Sequence, residues 1–135
     1  MNIVFLISVI VFGVVALVSI GILSRKVTHK LNQEYYQKYW LELLARVKTP
    51  DGMILAVIDA DKLLDKALKS RNFKGKTAGE RLVSAQRVLT NNDSVWYAHK
   101  LRNRLVHEPN AKLKKHVAQT ALAGFKQALK DLGAL

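Results

Sequence analysis

The stretch Ser94-Val95-Trp96-Tyr97-Ala98-His99-Lys100-Leu101-Arg102-Asn103-Arg104-Leu105-Val106-His107-Glu108, closed by Pro109, reads as one helix. Asp93 or Ser94 is placed to cap its start, and Pro109 stops its end. Val95, Ala98, Leu101 and Leu105 recur with the helical period and define a core face. At about 100° per residue, Arg102 falls inside that apolar arc, between Ala98 and Val95. A charge in that position is costly unless it is paired. His99, Asn103 and His107 are spaced by four and form a polar stripe beside the arginine. The rest of the chain has to account for an inward guanidinium and a neighbouring row of imidazole and amide groups.

A partner for Arg102 is available upstream. Residues 53–70, after the turn Thr49-Pro50-Asp51-Gly52, form a helix with Ile54, Val57, Ile58, Leu64 and Leu68 on one face. Asp61 projects from the middle of that face and Asp65 lies at its edge, so Asp61, with Asp65 beside it, is expected to meet Arg102. Such a pair fixes packing whether or not it serves any chemistry. Between the two helices, Asn72 to Lys76 make a basic loop, and Thr77-Ala78-Gly79-Glu80 has the pattern of a capping box opening a helix to about Leu89. Beyond Pro109, residues from about Lys114 to Leu132 carry a stripe of Val117, Ala121, Leu122, Phe125, Leu129 and Leu132, with Gly133 as a C-terminal cap. Upstream, residues 25–47 lack Pro and Gly and read as continuous helix, with an apolar arc of Tyr36, Tyr39, Trp40, Leu43, Leu44 and Val47. Strand signals and internal repeats are absent. The expected fold is all-α, a bundle of four or five short-looped helices.

The amino terminus is of another kind. Ile3 to Leu23 is a run of 21 residues without a charge, long enough as a helix to cross a bilayer core of roughly 30 Å. It exceeds a typical signal-peptide apolar region and lacks a basic start and a small-residue cleavage site, so an uncleaved anchor in the lipid bilayer is expected over residues 3–23. Arg25, Lys26 and Lys30 follow at once, with His29 among them. The positive-inside rule therefore places the N-terminus outside and residues 25–135 in the cytoplasm, in a single-pass protein of the cell membrane. The chain divides into an anchor (1–24), a basic juxtamembrane stalk (25–35) and a helical domain (36–135).

Twenty-two Lys and Arg against ten Asp and Glu give a formal charge of +12, all of it after residue 24. Such a field favours anionic partners, either nucleic acid or an anionic bilayer. There are no cysteines, which excludes disulfides and thiolate chemistry. Four histidines without a metal-ligand spacing make no case for zinc, and no cofactor is expected.

Arg102-Asn103-Arg104-Leu105-Val106-His107 has the form Arg-Asn-x-x-x-His, and here the chain resembles the HEPN superfamily, small all-helical domains that include many ribonucleases. The likeness extends to the helix order and to an acidic residue in an earlier helix, over roughly residues 36–132. It implies metal-independent RNA cleavage by the ribose 2′-hydroxyl, in a cleft between two protomers of a homodimer. His107 would then be the general acid or base and Arg102 would stabilise the phosphorane. Asn103 would orient the phosphate or the imidazole, and His99 would assist. Lys100, Arg104, Lys74 and Lys76 would steer RNA towards the cleft. The family's frequent companion, a nucleotidyltransferase-type antitoxin, is implied as a partner, and a toxin or defence effector as the role. Against this stands a reading from another class: a non-enzymatic helical module that dimerises or docks a partner at the cytoplasmic membrane face, with Arg102 and Asp61 serving only to lock helices together.

Overall fold

The computed structural model describes residues 2–25 and 30–135. Within them lie six helices and no strand: α1 (Ile3–Arg25), α2 (Gln33–Arg46), α3 (Pro50–Ser70), α4 (Ala78–Ala85), α5 (Asn92–His107) and α6 (Lys115–Asp131).

The segment Ile3–Gly21 of α1 has a mean hydropathy of 3.1 and buries nothing against the rest of the chain. Its hydroxyls turn inward, Ser8 donating to the Phe5 carbonyl and Ser19 to that of Val15, which leaves an unbroken apolar exterior. In length and composition α1 suffices to cross a membrane, and an N-terminal signal sequence meets the same two criteria. Lys26 and His29, part of the basic flank expected to set orientation, lie outside the described residues.

A continuous helix over 25–47 is not what the chain adopts. Residues 30–32 are non-helical, and the Asn32 side chain accepts from the Tyr35 N–H at 3.2 Å, starting α2 afresh. An asparagine that competes for a backbone donor makes a better cap than an interior residue. Leu31 is already buried in the core, so the bundle begins there, ahead of Tyr36. The turn expected at 49–52 is likewise the start of α3. Thr49 Oγ1 accepts from the Gly52 N–H, and Pro50 occupies the first helical position, where its missing N–H costs nothing.

The spine of the bundle is α3, which packs against α2, α4, α5 and α6, while α5 and α6 also pair with each other. Phe125, Leu64, Leu68, Val95 and Leu129 are fully buried at this junction. The α5–α6 approach is close because position 124 is glycine: a Cβ there would lie 2.6 Å from the Ser94 carbonyl oxygen. The ends of α3 and α6 are closed alike. Asn72 (φ 60°) and Gly133 (φ 77°) turn left-handed, and the N–H groups of Phe73 and Ala134 reach back to Leu68 and Leu129.

α4 is shorter than expected, ending at Ala85 instead of near Leu89. The N–H groups of Gln86 and Val88 bond back only three residues, to Val83 and Ala85, tightening the chain out of the α-helix. The Asn92 side-chain amide takes the Gln86 carbonyl, and α5 begins with Asn91, not Asp93 or Ser94, as its cap.

Candidate functional site

The inward charge on α5 is met as its wheel position demands, but by a fuller set of groups. Asp61, 4% exposed on α3, stands between two residues of α5. One carboxylate oxygen lies 2.7 Å from His99 Nδ1, and the other lies 3.4 Å from Arg102 Nε. That second contact is an ion pair without hydrogen-bond alignment, since Arg102 Nε has no hydrogen-bond partner. Arg102 Nη1 donates to Asn103 Oδ1 at 2.9 Å, and Asn103 Nδ2 faces His99 Nε2 at 3.4 Å. The polarity of the four groups is self-consistent in one arrangement only. A carboxylate accepts, so His99 Nδ1 carries the proton; Nε2 then accepts from the Asn103 amide, whose oxygen accepts from Arg102. Asp61, His99, Asn103 and Arg102 thus form a closed polar ring between α3 and α5.

His99 is therefore an interior residue, 7% exposed, although its spacing placed it on the polar stripe. Its wheel position leaves either side open: at about 100° per residue it lies roughly 40° from Val95, on the flank of the apolar arc. Trp96 packs edge-on against its ring at 5.7 Å between centroids. α4 also lies near both rings: a Cβ at Gly79 would sit 3.7 Å from His99 Nε2 and 3.6 Å from the Trp96 ring, ordinary contact distances. Arg102 keeps a quarter of its side chain exposed, at the rim of the ring.

Asp65 does not join Asp61 at Arg102. Its two oxygens hold Arg81 of α4, at 2.6 and 3.0 Å, and Lys69 lies 2.9 Å away. Asp65 sits one turn beyond Asp61 on α3, so it meets the helix that packs there, which is α4 and not α5. Arg81 also donates to the Gly75 carbonyl, securing the loop that carries Lys74 and Lys76. Burial opposes ionisation of Asp65, but the hydrogen bonds and charges of Arg81 and Lys69 outweigh it and hold the carboxyl below its ordinary value. The same hydrogen bond raises the pKa of the Arg81 guanidinium, against the effect of burial. Arg81 went unremarked in the sequence because the side read as covered was that of Leu82, Val83, Ala85, Gln86 and Leu89, and an arginine off that side reads as solvent-facing until the neighbouring helix is known.

His107 stands apart from all of this. It is exposed at the last position of α5, and its imidazole has no hydrogen-bond partner among the described residues. On a regular helix, five positions separate side chains by about 140°, so Arg102 and His107 leave α5 in different directions. His107 shares its direction with Lys100 and Arg104 instead. Tyr97, Lys100, Leu101 and Arg104 line a shallow groove of about 290 Å³ on this outer face, with Tyr97 45% exposed. Lys74 and Lys76 are exposed on the loop leading into α4. Among the described residues, no three His, Asp or Glu converge as metal ligands. The chain matches no protein-family model, no curated protein and no solved structure.

Proposed function

We propose that this chain is a membrane-tethered helical domain of HEPN type that binds RNA through the outer face of α5, on the cytoplasmic side of the membrane. The observation that carries the reading is the groove that the exposed Tyr97 lines together with Lys100 and Arg104, in a chain of net charge +12. An aromatic face with flanking cations suits a single-stranded base and its phosphates. Arg102 and Asn103 at the rim of the buried ring, with His107 on the outer face, supply the residue types of the family's cleavage chemistry. One chain does not bring them to a common point, so cleavage in this reading requires a second copy whose α5 faces the first across a two-fold axis.

The test uses the full chain in phosphatidylcholine vesicles and a single-stranded RNA without metal. Binding should weaken steeply with salt, and Lys100→Gln with Arg104→Gln should lower the slope of log affinity against log salt by about 1.4. Affinity unaffected by these substitutions would end the RNA reading. RNA strand scission lost in His107→Ala would extend it to a ribonuclease; binding without scission would leave an RNA-binding effector.

The alternative is a non-enzymatic docking or dimerisation module. It is favoured by the Asp61–Arg102 contact, which offsets the charge a phosphate ligand would need. It predicts no RNA binding beyond that of any equally basic surface.

A further inference from the structure

Where the bundle begins, at Lys30 to Tyr36, the chain forms a hollow of about 380 Å³ against the last two turns of α3. Lys30, Asn32, Tyr35, Lys66 and Ser70 line it, and no described acid does. Lys66 is fixed in place: its Nζ donates to the Tyr35 hydroxyl at 2.8 Å and stands 4.2 Å from the centroid of that ring. The lysines a turn away on α3 are held differently, Lys62 at 3.8 Å from Asp59 and Lys69 at 2.9 Å from Asp65. Among the described residues, neither Lys30 nor Lys66 has an acid as a partner. The tyrosine thus positions an ammonium without neutralising it, and the hydrogen bond raises the Lys66 pKa. The Tyr35 hydroxyl accepts from Lys66 and keeps its own proton to give. Asn32 Oδ1 is already taken by the Tyr35 N–H, which leaves the amide as a donor. The hollow is therefore rich in donors and positive charge, which suits an anion with several oxygens.

We propose that the Lys30–Tyr35–Lys66 hollow binds the phosphodiester headgroup of an anionic phospholipid, in the leaflet where α1 ends. This rests on the membrane-tether reading above and is independent of RNA binding. Chain connectivity selects the lipid. The apolar span ends at Gly21 and α1 runs on to Arg25, four residues or about 6 Å further, which is the depth of the headgroup layer. Lys30 follows five residues later, and a chain covers at most about 3.6 Å per residue, so its backbone stays within about 18 Å of the end of α1. A tether this short keeps the hollow beside a dense layer of phosphates, whereas an RNA has to arrive from solution. Anionic lipids are enriched in the cytoplasmic leaflet, where basic residues next to a span are drawn to them. Tyr35 fits the same place, since a tyrosine ring with a polar tip suits a membrane–water interface.

The full chain is reconstituted in phosphatidylcholine vesicles with increasing phosphatidylglycerol, and the acetylation rate of each lysine by an amine-reactive reagent is read by mass spectrometry. Lys30 and Lys66 should become protected saturably, and well ahead of Lys62 and Lys69 on the neighbouring turns. Lys66→Gln should raise the phosphatidylglycerol needed for half-protection of Lys30 about tenfold, the factor expected for a charge-assisted contact. Tyr35→Phe leaves every charge in place and removes the hydroxyl, so it should bring Lys66 down to the protection of Lys62 while the thermal melt stays near the parent's. Uniform slowing of all four lysines would overturn the site in favour of diffuse attraction to a charged surface. So would an unaltered Tyr35→Phe, or equal protection in pure phosphatidylcholine by glycerol 1-phosphate or by single-stranded RNA, which would assign the hollow to a free phosphate or to nucleic acid. Carbonate extraction separates the two readings. A chain that washes out of the vesicles ends the tether and this proposal together, and a retained chain without protection ends this proposal alone.

Discussion

Asp61 has two claimants on α5, and distance separates them: His99 at 2.7 Å and Arg102 at 3.4 Å. Asp61→Ala would strip both, leaving a buried imidazole with one fewer partner and a guanidinium without its counter-charge. A loss of about 3–5 kcal/mol in denaturant unfolding is expected, the range for breaking a buried pair on one side. A double-mutant cycle should give a larger coupling for Asp61 with His99 than for Asp61 with Arg102; the reverse order would assign the carboxylate to the guanidinium. Nitrogen NMR of His99 should report the proton on Nδ1, because only that tautomer satisfies Asp61 and Asn103 together. At this scale the wheel of α5 made Arg102's need for an acid legible, and Asp61 was the acid in reach. That His99 would take the shorter bond was not legible, because a residue on the flank of an apolar arc turns inward or outward according to what packs over it. Here Trp96 and Gly79 do the covering.

α4 is an eight-residue helix, too short to hold itself together in water. Leu82 and Ala85 give it a small apolar footing, and the Arg81–Asp65 pair with the Arg81–Gly75 bond ties it to α3 and to its own approach loop. Arg81→Ala should cost about 2 kcal/mol, the size of a hydrogen-bonded charge contact. The effect should be read as faster amide exchange across Ala78–Ala85 with α6 little changed. The pH dependence has a definite sign. Asp65 is held below its ordinary value of 3.8, so its stabilising pairing is complete above that pH and is lost as pH falls through the lower folded value. Acidification below 3.8 should therefore loosen α4 in the parent, and no such step should appear in Arg81→Ala. The α5–α6 contact is of a different sort: Gly124→Ala would drive a Cβ to 2.6 Å from the Ser94 carbonyl oxygen, a backbone group that cannot swing aside. Overpacking of this kind typically costs about 1–3 kcal/mol in unfolding free energy.

The whole molecule is two bodies by solvent preference. The apolar segment Ile3–Gly21 is not buried in the fold, and every described core residue of the bundle lies between Leu31 and Ala134. Removal of residues 1–25 should leave a soluble bundle whose melting temperature is within a few degrees of the parent, since the described core begins at Leu31. Sedimentation with membranes should be lost at the same time. Intact mass measured on the membrane fraction distinguishes an anchor, which retains residues 1–24, from a signal sequence, which does not.

Read alone, the sequence determined the all-helical class, the apolar N-terminal segment, much of the core faces of α3, α5 and α6, and the presence of misplaced charges on α3 and α5. These follow from periodicity and from the cost of burying a charge, both of which act along a single element. Which charges meet was decided by tertiary structure: Asp65 with Arg81, Asp61 with His99, and His107 with no described residue. A pairing depends on how two helices are rotated and offset against each other, and the packing that sets this, such as glycine at position 124, has no signature within either helix.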